Sequence, residues 1–163
     1  DSGFESNHVY ELCADHGWVA LRGSDRESWV HRGKRKERIY RPYTVRKFDP
    51  MIGKRAARRK RAVEIQWSNP SIKDILARIR SKSSPVKWVT PTEICDDRYF
   101  KQIDAEIKRK KVDKKTGKIR HEWEKRTTSR PNHLFDCEAM QVAIALRYSI
   151  LINFVKTKVP DNQ

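Results

Sequence analysis

The sequence predicts an α/β fold, a mixed sheet flanked by helices, and three features of its 163 residues carry that expectation. Ser6 to Leu21 reads as a helix followed at once by a short strand. Ala62-Val63-Glu64-Ile65-Gln66-Trp67 alternates as a strand and runs directly into the helix signals of Ser68-Asn69-Pro70. Leu134 to Phe154, rich in Leu, Ile, Ala, Met and Phe, is the only long apolar helical pattern. Strands that lead into helices belong to layered α/β architectures. A chain of this length suits one domain, or most of one, with a core of real size.

In chain order, Ser6 or Asn7 can cap a helix carrying Val9, Leu12 and Cys13, with Gly17 as its stop. Trp18-Val19-Ala20-Leu21 reads as a short buried strand closed by Gly23, so that Asp1 to Gly23 resembles the second half of an α/β unit. Residues 32–61 form a basic loop or arm with fourteen Lys or Arg opposed only by Glu37 and Asp49. Inside it, Arg38–Arg41 and Tyr43–Arg46 have strand composition around Pro42, whereas Lys54–Arg61 has no apolar side to pack and reads as a mobile loop. Ile72, Ile75, Leu76 and Ile79 mark one face of the helix that follows Pro70, and Val86–Pro91 is a short extended segment. Asp97 starts another helix, with Tyr99, Phe100, Ile103 and Ile107 on its apolar side. Lys110–Val112 and Ile119–Trp123 read as two strands about the turn Asp113–Gly117, and Thr127–Pro131 leads into the last helix.

Charge narrows the function. Lys and Arg number 37 against 21 Asp and Glu, a formal net charge of +16, with a pI near 10.0. Such an excess attracts polyanions, phosphate backbones above all. A membrane is not an expected partner: the basic run lacks an interleaved apolar face, and Gln141, Arg147 and Asn153 interrupt the one long apolar helix. No signal peptide is read at the start of the sequence. Three cysteines without CxxC spacing point to reduced thiols in a cytoplasmic setting, and five scattered histidines argue against a Cys/His zinc site.

No Gly-x-Ser-x-Gly elbow frames a serine nucleophile, and no Gly-rich phosphate loop occurs among the six glycines. What remains is carboxylate chemistry beside a basic surface. Asp136 sits in the first turn of the last helix, on the same side as Ala139, Met140 and Ala143. A carboxylate there either meets the positive end of the helix dipole or, if the face packs inward, needs a proton, a cation or a metal ion. Carboxylates holding Mg²⁺ or Mn²⁺ beside basic residues that hold a backbone are suited to phosphodiester cleavage, and the metal reconciles the two signs of charge.

An ordered set of motifs then becomes recognisable: Asp1-Ser2-Gly3, Val9-Tyr10, Gly17, Leu21-Arg22-Gly23, the helix Tyr99–Glu106, His121–Lys125, and Arg130-Pro131-Asn132-His133-Leu134-Phe135-Asp136-Cys137. Together they resemble the C-terminal nuclease region of the large subunit of tailed-phage DNA-packaging terminases of the lambda-like family, from Asp1 to about Leu151. The resemblance implies a ribonuclease H-like fold and a metal-dependent endonuclease that cuts concatemeric double-stranded DNA during packaging into the procapsid. It matches Asp1 and Asp136 to two of the family's three acidic metal ligands. It implies that the third acid, the leading strands and an ATP-using motor lie upstream, so that residues 1–163 form the C-terminal part of one nuclease domain and cut poorly alone. The terminase small subunit and the portal are the implied partners, in the host cytoplasm. His133 departs from the family pattern where an acidic residue is usual, and Met140 where tyrosine is common.

Arg22, Lys34, Arg35, Arg58 and Arg59 are the expected phosphate contacts. Glu93, Asp96, Asp97, Asp104 and Glu106 are read as solvated or helix-dipole acids, and Trp29, Trp67, Trp88 and Trp123 as core residues before base-stacking ones. The alternative to the nuclease is a non-catalytic basic nucleic-acid-binding protein, which accounts for the charge but not for Asp136.

Overall fold

The computed structural model describes residues 6–48, 62–81, 84–93, 95–114 and 116–151. The first helix, α1 (Ser6–His16), ends where the sequence places its stop. Gly17 adopts φ +68° and the Trp18 N–H donates to the Cys13 carbonyl at 2.9 Å, a six-to-one closure that satisfies an orphan carbonyl. Strand β1 (Val19–Ser24) follows at once and continues through Gly23. Trp18 lies outside it, 60 % exposed and stacked on His16, because the turn carries its ring to the surface rather than into the sheet.

Strands β2 (Trp29–Arg32) and β3 (Arg38–Arg41) form a separate antiparallel hairpin. After the single residue Pro42 the chain enters β4 (Tyr43–Phe48), which belongs to the central sheet. That sheet has the order β1-β5-β4: β5 (Ala62–Ser68) runs parallel to β1, with Leu21 opposite Ile65, and antiparallel to β4, with Val45 opposite Ile65. The read strands at 38–41 and 43–46 are therefore both present, in different sheets. The read loop at 54–61 lies outside the described residues.

As the central strand, β5 is covered on both faces. Ile65 and Trp67 join the core, while Glu64 accepts a hydrogen bond from the Tyr10 hydroxyl on α1. Its last residue, Ser68, caps α2 (Asn69–Arg80) by accepting from the Ser71 N–H at 3.2 Å, and Pro70 occupies the first turn, where its missing N–H costs nothing. Ile72, Ile75, Leu76 and Ile79 are buried as their spacing predicts, and they pack against Phe135, Ala139, Val142, Ala143 and Leu146 of α4 (His133–Arg147). Val86 and Trp88 pack on the same core without strand pairing.

Two readings change. The helix opened by Asp97, α3 (Asp97–Ile103), stops at Ile103, and Ile107 belongs to β6 (Glu106–Val112) instead. The Asp104 N–H closes the helix on Phe100 and the Ala105 N–H on Gln102, so the chain turns out of the helix before Ile107 can join its face. Phe100 is left 43 % exposed. Strand β6 pairs with β7 (Ile119–Lys125) about the turn at Asp113–Lys118, where Gly117 takes φ +65°. Helix α4 is also shorter than its apolar pattern: Tyr148 caps it, Ser149 adopts φ +60°, and Leu151 folds back onto the core. None of the helices among the described residues is long and apolar enough to cross a membrane.

Leu76 is fully buried between α4 and the sheet. Leu76→Ala is expected to cost about 2–5 kcal/mol in urea unfolding, whereas Phe100→Ala is expected to cost under about 1 kcal/mol.

Candidate active site

Asp136 stands where α4 begins, and the local sequence explains why its neighbours are free to serve it. Asn132 occupies the cap position of α4 but makes no capping hydrogen bond with its side chain. An orphan N–H of the first turn, that of Leu134, is met from outside by the Gln102 side-chain oxygen of α3, at 3.2 Å. The Asn132 amide instead donates sideways, to Glu106 Oε1 at 2.5 Å and to Asp136 Oδ2 at 3.0 Å.

The other Asp136 oxygen, Oδ1, lies 2.9 Å from Lys73 Nζ. Lys73 comes from the second turn of α2, beside Ile72, and its ammonium also donates to both oxygens of Glu106 at 2.8 Å. It sits over the Phe135 ring, 5.2 Å from the centroid. The four side chains close a ring, Asp136–Lys73–Glu106–Asn132. Lys73 and Glu106 are almost wholly enclosed, with side chains 3 % and 6 % exposed, whereas the Asp136 side chain is 32 % exposed. Asp136 is thus the member of the ring best placed to meet a ligand. Ala139 and Ala143, predicted on its side of α4, are fully buried.

Glu106 is the residue that sequence reasoning missed: it is no solvated acid but the buried anchor of Lys73. Its carboxylate is drawn in because β6 starts directly after the α3 turn, with its first residue facing inward. The nearby Asp74, also on α2, binds Lys108 Nζ at 2.6 Å and accepts from the Trp123 indole at 2.8 Å, which docks the β6–β7 hairpin on the same helix. Of the other acids named, Asp96 caps α3 through the Tyr99 N–H, and Asp104 pairs with Arg126 at 2.9 Å.

The remaining candidate residues lie apart from this ring. Arg22 is exposed on β1, and Lys34 and Arg35 are exposed in the β2–β3 turn, closed by the Gly33 N–H donating to the Glu37 carbonyl at 2.9 Å. Asp1, Arg58 and Arg59 lie outside the described residues. Trp67 is core, and Trp88 and Trp123 pack against it. The three cysteines carry free thiols. Among the described residues no three His, Cys, Asp or Glu side chains converge as a metal cage, and Asp136 and Glu106 are the acids that meet here. Their oxygens are hard donors, the kind Mg²⁺ and Mn²⁺ prefer. Among the described residues Oδ1 of Asp136 has one ion-pair partner and Oδ2 one hydrogen-bond partner, so each keeps a lone pair; the carboxylate fits a shared ligand role but not a complete site by itself.

Compared with models of known families, residues 1–153 match the one described as terminase large subunit gpA, endonuclease domain. Neither a curated protein nor a solved structure matches the chain.

A buried acid sits on the same helix. Glu138 accepts a hydrogen bond from the Tyr99 hydroxyl, tying α3 to α4. Burial, and then the Glu138 carboxylate, push the Tyr99 phenol up to about 12. A phenol that holds its proton more tightly when folded stabilises the fold below its unfolded value near 10, and that contribution disappears as pH rises through about 12. In alkaline unfolding, wild type is therefore expected to lose stability over that window and Tyr99→Phe to show a flatter profile.

Proposed function

This chain belongs to the family of the terminase large subunit gpA endonuclease domain, and on that premise we propose that it cuts concatemeric double-stranded DNA as a tailed-phage genome is packaged into its procapsid. The observation that carries the reading is Asp136: in a chain of formal charge +16, one carboxylate at a helix start is held by both oxygens yet left a third open. A metal ligand needs that opening.

In this reading the fold is ribonuclease H-like, and Asp1 and Asp136 hold Mg²⁺ or Mn²⁺. Topology supports Asp1. Helix α1 packs on β1 and β5 and is joined to β1 by only Gly17 and Trp18, so the chain enters α1 near the C-terminal end of β1. The parallel strand β5 ends on that same side and leads into α2, the helix of Lys73. When bound, a divalent cation supplies an activated water and neutralises charge on the leaving oxygen. The side chains of the chain itself do the holding. Asn132 and Lys73 fix the plane of the Asp136 carboxylate. Arg22, Lys34 and Arg35, with Arg58 and Arg59 of the basic arm, grip phosphates without reading bases. The terminase small subunit and the procapsid portal are the protein partners of this reading, ATP serves only a motor outside this chain, and the host cytoplasm is the place of action.

Asp136→Asn tests it in the terminase large subunit that carries this domain. Mg²⁺- or Mn²⁺-dependent cleavage of duplex DNA is expected to fall by at least about a hundredfold, beyond the usual cost of losing a group that only supports a ligand. Duplex binding is expected to persist or tighten slightly. Cleavage at the wild-type rate would remove Asp136 from the chemistry, whereas absence of metal-dependent cleavage by the wild-type subunit would leave a basic DNA-binding protein as the better account. For the grip, Lys34→Ala with Arg35→Ala is expected to flatten the slope of log Kobs against log salt concentration by about 1.8, two phosphate contacts at about 0.9 each.

A further inference from the structure

The ring around Asp136 contains its own cation. Lys73 Nζ stands 2.9 Å from Asp136 and 2.8 Å from both Glu106 oxygens, a position central to two carboxylates. We propose that Lys73 is a built-in counter-ion that competes with a divalent cation for Asp136 and so sets how tightly the site holds metal. The inference rests on the reading of Asp136 as a metal ligand.

Three observations carry it. The ammonium is enclosed, so its attraction for the carboxylates is only weakly screened by solvent. It occupies Oδ1, one of the two oxygens a cation would use, while Asn132, which is neutral, occupies the other. Its ammonium lies over the Phe135 ring and is bonded by both Glu106 oxygens, so Lys73 does not swing away to solvent as a surface lysine does. Glu106 then has a definite part. It shares the ammonium with Asp136 and leaves the site anionic: by formal charge, Glu106, Asp136 and Lys73 sum to −1 − 1 + 1 = −1. Without the lysine charge the sum is −2, and without the Glu106 charge it is 0.

These sums predict opposite effects from two residues that touch each other. In titrations of the full 163-residue chain with Mn²⁺, read by the electron paramagnetic resonance of the free ion, Lys73→Met is expected to tighten binding by about tenfold or more and Glu106→Gln to weaken it by about tenfold or more. Lys73→Arg keeps the charge and is expected to stay within about threefold of wild type. Thermal unfolding gives a second readout: Lys73→Met is expected to melt lower than wild type in a metal chelator and to gain more from added Mn²⁺. A purely architectural role for the ring would not produce opposite signs. If Asp136→Asn abolishes Mn²⁺ binding but Lys73→Met and Glu106→Gln shift it the same way, or not at all, the counter-ion proposal is wrong and the metal reading survives. If Asp136→Asn binds Mn²⁺ like wild type, the metal reading beneath it is wrong. Glu106→Gln nearly preserves shape and the acceptor for Asn132. Should Lys73→Met fail to fold, unchanged or tighter Mn²⁺ binding by Glu106→Gln overturns the proposal on its own.

Discussion

The Lys73 ammonium joins three elements: α2 carries it, the first residue of β6 supplies Glu106, and the first turn of α4 supplies Asp136. A buried ammonium is costly unless its protons are met, and removing one partner of such a pair costs about 3–5 kcal/mol. The cost acts as a constraint on geometry. Apolar packing of α2 on α4 tolerates small rotations, since Ile, Leu, Val and Ala can repack at modest cost. Two carboxylates each held within 3 Å of one ammonium cannot. The rotation of α4 about its axis, and with it the direction Asp136 faces, is set by this contact rather than by the apolar seam beneath it.

Much of the architecture was legible because periodicity is a local property. The spacing of Ile72, Ile75, Leu76 and Ile79, the Ser68-Asn69-Pro70 start and the Gly17 stop each describe their own neighbourhood, and the observed elements follow them. Asp136 could be singled out for the same reason, as an acid among small residues on a helix face. Glu106 and Lys73 could not. From Tyr99 to Ile107 the apolar spacing fits a helix, and the break at Asp104–Ala105 comes from backbone closures that no glycine or proline announces. Lys73 looks like any polar position next to an apolar stripe, and its burial depends on a glutamate 33 residues away. Charged residues reveal little in sequence when the partner that makes burial affordable is distant.

Net charge is likewise an uneven guide to where DNA is held. The β6–β7 hairpin is rich in lysine and arginine, yet Lys111 bonds Glu122 at 2.9 Å and also pairs with Glu124, with Arg109 4.0 Å from the latter. Those contacts raise the Lys111 ammonium above its usual range and lower the Glu124 carboxyl. Such exposed pairs add little stability, but they cancel much of the field the hairpin would otherwise project. The β2–β3 turn, with Lys34, Arg35 and Lys36 beside a single glutamate, keeps more of its field for a polyanion.

Pro42 is all that separates β3 from β4, and this has a mechanical meaning. Proline fixes its own φ; the carbonyl of Pro42 accepts from the Ser68 N–H at 2.8 Å, and the His31 ring lies 3.3 Å from the Tyr43 carbonyl. A joint one residue long and bonded on both sides has almost no swing, so the basic turn rides on the central sheet as a stiff bracket. With a duplex gripped as proposed, the interval between grip and cut becomes a fixed gauge, set by strand length when the chain folds and indifferent to the bases lying between.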